Sequence, residues 1–334
     1  MSPSVRLRLG GSAAALTAAL AGAGAVPAHA APSGLVRADD GARVTAEKKV
    51  TAGVTDLTID SPALGRSVKT RVLLPAGWRR GAARTWPVLY AFHGGRNNYT
   101  SWTRNTDIEA WAARYGVIVV MPEGADGSYT DWFNYGRGGT PRWETFHTAE
   151  VRQLVERNYG AGERRAAIGN SSGGAGAVAY AARHPGLFRY AASLSGILSM
   201  RSAGMPAMLM FTNAGNGQDP FAIWGVPGAD DANWAAHDPY ALAPRLRGTG
   251  LFFSSGTTGR PGPGDPDVAP WDVGLLSEFA IGANTRDFKA RLDKLDIPYT
   301  AHLYGDGRHN WPAWARESRF IWPTLMTSIG AART

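Results

Sequence analysis

The sequence predicts an α/β fold: a doubly wound, mainly parallel sheet with helices on both faces, in a single domain. Three observations predict it. Short continuous apolar runs, such as 88–92 and 117–121, recur along the chain and read as strands buried on both faces. They alternate with helix-length stretches, as βαβ units do. One such run, Ala166-Ala167-Ile168, leads through Gly169-Asn170-Ser171-Ser172-Gly173 directly into an Ala-rich helix ending at His184-Pro185.

In chain order, residues 1–30 read as a secretory signal peptide. Arg6 and Arg8 precede an Ala/Leu/Gly run, and Ala28-His29-Ala30 supplies an A-x-A cleavage site after about Ala30. The run is too short and Gly-rich for a membrane span, and no other stretch approaches one, so a soluble, secreted protein is expected. Residues 31–48, polar and Ala/Gly-rich, read as a mobile lead-in to a main domain over 49–330. Residues 50–60 and 67–75 alternate apolar and polar around Ser61-Pro62-Ala63-Leu64-Gly65, as an antiparallel hairpin does. The strand 88–92 is entered through Trp86-Pro87. Thr106 is placed to N-cap a helix through Tyr115 that Gly116 stops. A strand over 117–121 ends at Pro122, and a helix fits 144–158. Further strands are expected over 190–194, 208–211, 250–253 and 299–304, with an amphipathic helix over 286–295. The stretch 213–240, Gly/Pro-rich with Trp224 and Trp234, reads as a long loop that either lines an acyl groove or packs on the surface.

Removing 30 residues from 334 leaves 304, and losing Arg6 and Arg8 takes the formal charge from +8 to +6. A chain of that size buries a core sufficient for one domain. The positive charge is spread along the sequence, which favours an anionic or cell-envelope surface weakly and nucleic acid poorly. The absence of cysteine excludes disulfides, thiol catalysis, Cys-based metal sites and a lipidated N-terminal cysteine. The Asp/Gly runs near Asp126 and Asp230 do not match an ordered calcium loop, so no metal and no cofactor is expected. The twelve tryptophans read as core or rim aromatics ahead of carbohydrate platforms.

Gly169-Asn170-Ser171-Ser172-Gly173 fits G-x-S-x-G, the nucleophile elbow of α/β-hydrolases. A serine on a strained strand-to-helix turn needs neighbours without Cβ atoms, because the backbones cross closely there. The helix behind Ser171 favours the negative charge that develops in acyl transfer. Such a serine needs a base and an orienting acid, which follow it in the order acid, then His. Of His184, His237, His302 and His309, only His309 lies in a loop after the last expected strand. Order leaves the acid open among Asp265, Asp267, Asp272 and Glu278.

Several local patterns, in one order from about Pro87 to Trp322, resemble the secreted mycolyltransferases of the antigen 85 complex, within the esterase D-like α/β-hydrolases. They include His93-Gly94-Gly95-Arg96, Trp102-Thr103-Arg104-Asn105-Thr106, Met121-Pro122-Glu123-Gly124 and Tyr129-Thr130-Asp131-Trp132. Trp143-Glu144-Thr145-Phe146, 190–195 and His309-Asn310-Trp311-Pro312-Ala313-Trp314, an H-x-W-x-x-W, complete the set. The resemblance implies that Glu278 is the acid, with Asp272 as the runner-up. It implies an oxyanion hole from the backbone N–H groups of Gly95 and Ser172, and sugar contacts from Arg96, Asn105 and Trp311. The chain departs from the family at His93, where the family has an Asp, in its shorter loop between Gly95 and Trp102, and in lacking a cysteine pair. Those departures bear on trehalose and mycolate as substrates, not on acyl transfer.

The expected activity is a serine carboxylesterase/acyltransferase. Ser171, His309 and Glu278 would pass an acyl group from an ester or lipid to water or to a sugar or glycerol hydroxyl. The alternatives are a surface adhesion or binding protein on the same scaffold, and an extracellular polyester or polysaccharide esterase.

Overall fold

The computed structural model describes residues 34–334, so the predicted signal peptide lies outside the described residues. Nine strands form one sheet: β1 (Arg43–Thr51), β2 (Val54–Ser61), β3 (Arg66–Leu73), β4 (Trp86–Phe92), β5 (Ile118–Pro122), β6 (Ala161–Asn170), β7 (Tyr190–Leu194), β8 (Gly250–Ser255) and β9 (Thr300–Leu303). Their order is β1-β2-β3-β5-β4-β6-β7-β8-β9. The first three strands are antiparallel, β3 meets β5 antiparallel, and every pairing from β5 to β9 is parallel.

The continuous apolar strands have a physical reason. All seven residues of β4 are buried. Val88, Tyr90 and Phe92 feed one core, whereas Leu89 and Ala91 feed the other, because successive side chains point to opposite faces. Helices cover both. The helix after β6 packs Ala177, Val178, Tyr180 and Ala181 into the first core, and the C-terminal helix packs Trp314, Ile321, Trp322 and Leu325 into the second. Strand order reverses direction around β4, which carries β5 on one side and β6 on the other. Ligands in such sheets bind beyond the carboxyl ends of the strands at that point.

The hairpin expected around Ser61–Gly65 is β2 and β3, with Ser61 opposite Arg66. Residues 43–48, expected in the mobile lead-in, instead form most of β1, paired with β2 across a register shift at Thr45. Their alternation was masked because this edge strand buries little more than Val44. Upstream, Val36 N–H and Val36 C=O both bond the Asn158 side chain, so this part of the lead-in is fixed too.

The helix expected over 106–115 is two short ones, α1 (Ser101–Asn105) and α2 (Ile108–Ala112). Thr106 divides them. Its hydroxyl donates to Trp102 C=O at 2.6 Å and accepts the Ile108 N–H at 3.2 Å. The helix expected over 144–158 runs through a π-wound middle, Phe146–Val151, into α3 (Arg152–Tyr159), and Gly160 stops it at φ 72°. α4 (Ser172–Arg183) follows the elbow.

The apolar run at 208–211 is not a strand: it lies inside α5 (Met205–Gly215). Met, Ala and Leu are strong helix formers, and Pro206 suits a helix's first turn. Phe211 is 81% exposed, so the run is not buried as a central strand would be. The expected loop over 213–240 also contains α6 (Pro220–Trp224) and α7 (Asp231–His237), with Trp224 and Trp234 buried against Ile223 and Met200. α8 (Val273–Lys294) begins 13 residues before the helix expected at 286, and α9 (Trp311–Ser328) closes the chain.

Candidate active site

Ser171 sits between β6 and α4 at φ 52°, ψ −125°, a backbone conformation that costs energy for a residue with a Cβ. Its N–H is held by Leu194 C=O at 2.8 Å. The neighbouring glycines make the turn feasible. A Cβ on Gly169 would lie 2.1 Å from Gly173 O, and one on Gly173 would lie 2.5 Å from Phe92 O.

His309, in the loop after β9, places Nε2 2.9 Å from the Ser171 hydroxyl, and its Nδ1–H donates to Glu278 Oε2 at 2.8 Å. Glu278 lies in the second turn of α8 and is fully buried. Its other oxygen, Oε1, accepts from Ser195 Oγ at 2.7 Å, Gly256 N–H at 2.7 Å and Tyr304 Oη at 2.8 Å. Burial pushes the Glu278 carboxyl up, but the hydrogen bonds, led by that from His309, outweigh it and hold the group below the ordinary carboxylate value. The Trp314 ring stands edge-on to the His309 imidazole, with centroids 4.9 Å apart, and its Nε1–H donates to Ser195 Oγ at 3.1 Å.

The runner-up acid does something else. Asp272 caps α8 by accepting the Leu275 N–H and takes both Nε and Nη2 of Arg308, at 2.7 and 3.0 Å. Asp265 accepts from the N–H groups of Gly262 and Arg308 and from Asn310 Nδ2, and so shapes the His309 loop. The remaining candidate bases are engaged elsewhere: His184 with Glu144, His237 with Asn233 C=O and His302 with Glu317.

The loop after β4 brings Gly95 to the same cleft as Ser171 and Ser172. Buried His93 anchors it through Nδ1–H to Gly94 C=O and through the Gly124 N–H to Nε2, both at 2.8 Å. A Cβ on Gly94 would come within 3.0 Å of Ser171 Cβ, so only glycine lets the loop approach this closely. Among the described residues no acceptor takes the Gly95 N–H. The Ser172 N–H opens α4, where the first turn leaves N–H groups without intrahelical partners.

The cleft measures about 610 Å³. Met208, Leu209 and Phe211 of α5, with Ile281 of α8, make an apolar wall. Arg96, Asp126, Asn216 and Trp311 make a polar one. Arg96 donates Nε to Asn216 Oδ1 at 2.8 Å and Nη2 to Gly215 C=O at 3.2 Å, tying its loop to the end of α5. Trp311 Nε1–H reaches Asn97 Oδ1 at 3.1 Å, and its ring packs on Trp102 and Trp314. Asn105, at the end of α1, donates its amide to Ser101 C=O at 2.7 Å and does not line this cleft. Sequence reasoning did not single out Ser195 or Tyr304. Both follow the carboxyl ends of parallel strands near Ser171, which is the available signal. A second hollow of about 740 Å³, lined by Thr55, Trp78, Arg80 and Tyr159, holds no nucleophile–base pair.

Comparison with known proteins places the chain among esterases and acyltransferases. The model of the Esterase family matches residues 61–318. Esterase MT1326 of Mycobacterium tuberculosis (strain CDC 1551 / Oshkosh) is 32% identical over 72% of this chain, which spans about half (52%) of that relative. The diacylglycerol acyltransferase/mycolyltransferase Ag85A of Mycobacterium ulcerans is 31% identical, over 82% of this chain and 81% of that protein. The crystal structure of Mycobacterium tuberculosis MPT51 (FbpC1) superposes with a TM-score of 0.68 at 25% identity, over 84% of this chain and all of the other. An S-formylglutathione hydrolase from Agrobacterium tumefaciens shares the fold, with a TM-score of 0.63 at 17% identity over 86% of this chain and 99% of its own. With an α/β-hydrolase sheet and relatives that are esterases and acyltransferases, the chain belongs to the antigen 85-like esterase family.

Proposed function

We propose that this protein is a secreted serine carboxylesterase/acyltransferase that works through an acyl-enzyme on Ser171. The observation that carries this reading is the unbroken hydrogen-bond chain from the Ser171 hydroxyl through His309 to Glu278. His309 Nε2 takes the hydroxyl proton as Oγ attacks the ester carbonyl carbon. The carbonyl oxygen becomes an oxyanion facing the N–H groups of Gly95 and Ser172, fixed donors worth several kcal/mol at such a site. The C–O bond to the alcohol then breaks, and the His309 proton leaves with that alcohol. In the second half, His309 deprotonates an acceptor hydroxyl, which attacks the acyl carbon, and Ser171 regains its proton. Glu278 stays ionised throughout and stabilises the imidazolium.

The two walls of the cleft suit the two substrates. Met208, Leu209 and Phe211 offer apolar surface to an acyl chain. Arg96, Asp126 and Trp311 offer polar and stacking groups to a sugar or glycerol acceptor. Secretion rests on the N-terminal segment, and among the described residues no helix is long and apolar enough to cross a membrane. A binding protein without catalysis has no use for a buried carboxylate aimed at a histidine beside a strained serine.

The test is turnover of p-nitrophenyl esters from short to long acyl chains, with and without glycerol or trehalose, for wild type and Ser171→Ala. Loss of turnover on the order of a thousandfold or more in Ser171→Ala, with an unchanged melting temperature, is expected. Accumulation of acylated polyol identifies a transferase, and free acid alone identifies a hydrolase. Turnover in Ser171→Ala equal to wild type would falsify the proposal.

A further inference from the structure

We propose that Tyr304 is a positioning residue: with Ser195, its hydroxyl holds Glu278 Oε1 so that Oε2 is kept for His309. This rests on the proposed Ser171–His309–Glu278 machinery.

The two carboxylate oxygens are treated differently. Oε2 meets His309, whereas Oε1 collects three donors, from Ser195, Gly256 and Tyr304. Because Glu278 is fully buried, no bulk water stands in for a donor that is lost. A carboxylate tethered at one oxygen only would rotate about its terminal torsion, which is broad and two-fold.

Both hydroxyls are themselves held. Tyr304 is the residue after β9 and lies five positions before His309, so one loop carries the base and a clamp on its partner. Its ring lies so close to the loop that a Cβ on Gly307 would come 2.5 Å from Tyr304 Cε2. The Arg316 guanidinium stacks 4.7 Å above the ring, and His302 meets it edge-on at 5.9 Å. Ser195, at φ 52°, is the second serine with a left-handed backbone at a parallel strand end. Its N–H is fixed by Ser254 C=O and its hydroxyl by Trp314. Strain of this kind persists where the surroundings enforce it.

The groups facing this cluster are His309 and Tyr304 on Glu278, and Glu278, Arg316, His302 and Glu317 around Tyr304. Burial first, and then the Glu278 carboxylate, push the Tyr304 phenol well up, so it remains a donor throughout the working pH range. Its hydrogen bond spreads the Glu278 charge away from Oε2. Removing it makes the carboxylate more basic, which strengthens its pull on the His309 N–H and so changes the pH profile of the pair.

The test compares wild type, Tyr304→Phe, Ser195→Ala and Ser171→Ala with a short p-nitrophenyl ester. Tyr304→Phe keeps the ring beneath Arg316. It should lower kcat by about 10-fold or more, in line with the loss of one hydrogen bond to a charged group, and leave KM unchanged. The acidic limb of its kcat/KM profile should move to higher pH. Ser195→Ala should act in the same direction, and the double variant should deviate from additivity because both hydroxyls share one oxygen. If Ser171→Ala is inactive but Tyr304→Phe and Ser195→Ala keep wild-type kcat and the wild-type acidic limb, with only melting temperature lowered, the two hydroxyls are structural and the inference is overturned. If Ser171→Ala itself retains turnover, the catalytic reading beneath it falls instead.

Discussion

A single methyl group is enough to test the elbow. A Cβ on Gly169 would sit 2.1 Å from the Gly173 carbonyl oxygen and 2.7 Å from the Gly174 nitrogen, both backbone atoms. Gly169→Ala should therefore destabilise the fold by roughly 2 kcal/mol or more and remove most activity, read as a fall in melting temperature with a parallel loss of turnover. Glu278 makes a second residue-scale prediction. Its folded carboxyl lies below the ordinary value of 4.5, so its contribution to stability is present above pH 4.5 and lost as pH falls through the lower folded value. Glu278→Gln should flatten that acid limb in denaturation measured from pH 6 downwards. At this scale Ser171 and His309 were legible, the first from its glycines and the second from chain order. The acid was not, because sequence order does not separate a capping Asp272 from a buried Glu278 six positions later, in the second turn of the helix.

Elements were most legible where burial is two-sided. The β4 and β5 strands appear in the sequence as unbroken apolar runs because each feeds two cores. Edge strand β1 and helix α5 were misread for opposite reasons. β1 lacks an apolar face, and α5 carries an apolar run whose Phe211 no core covers. Phe211 gives α5 a function to test: it is exposed yet lines the cleft. Phe211→Ser should raise KM several-fold for long-chain p-nitrophenyl esters, leave short-chain esters unaffected and leave the melting temperature unchanged. Chain-length independence would contradict this assignment. The π-wound turn before α3 makes another prediction. There Glu150 accepts the Ala63 N–H at 2.7 Å and the Ser61 hydroxyl, joining the hairpin turn to the helix. Burial, outweighing those bonds, pushes its carboxyl up to about 7. A raised pKa favours the neutral form when folded, so stability is fully present below pH 4.5 and declines as pH rises through about 7. Glu150→Gln should shrink the difference in melting temperature between pH 5 and pH 8, and an undiminished difference would show that another group governs it.

At the scale of the molecule, the parallel half of the sheet sets β6, β7, β8 and β9 side by side, and their carboxyl ends deliver Ser171, Ser195, Gly256 and Tyr304 to one place. Residues more than a hundred positions apart, Ser171 and His309, thereby share a hydrogen bond. That convergence follows from topology, which alternating apolar runs and helices reveal. The partners of Glu278 depend on loop paths, which they do not. The measurement that tests the central claim most directly is intact-protein mass spectrometry after rapid quenching of wild type and Ser171→Ala with a slowly released p-nitrophenyl ester. A mass increase equal to one acyl group, mapped to the peptide carrying Ser171 and absent from the variant, is the predicted result. Steady turnover with no covalent adduct, or an adduct that persists in Ser171→Ala, would contradict it.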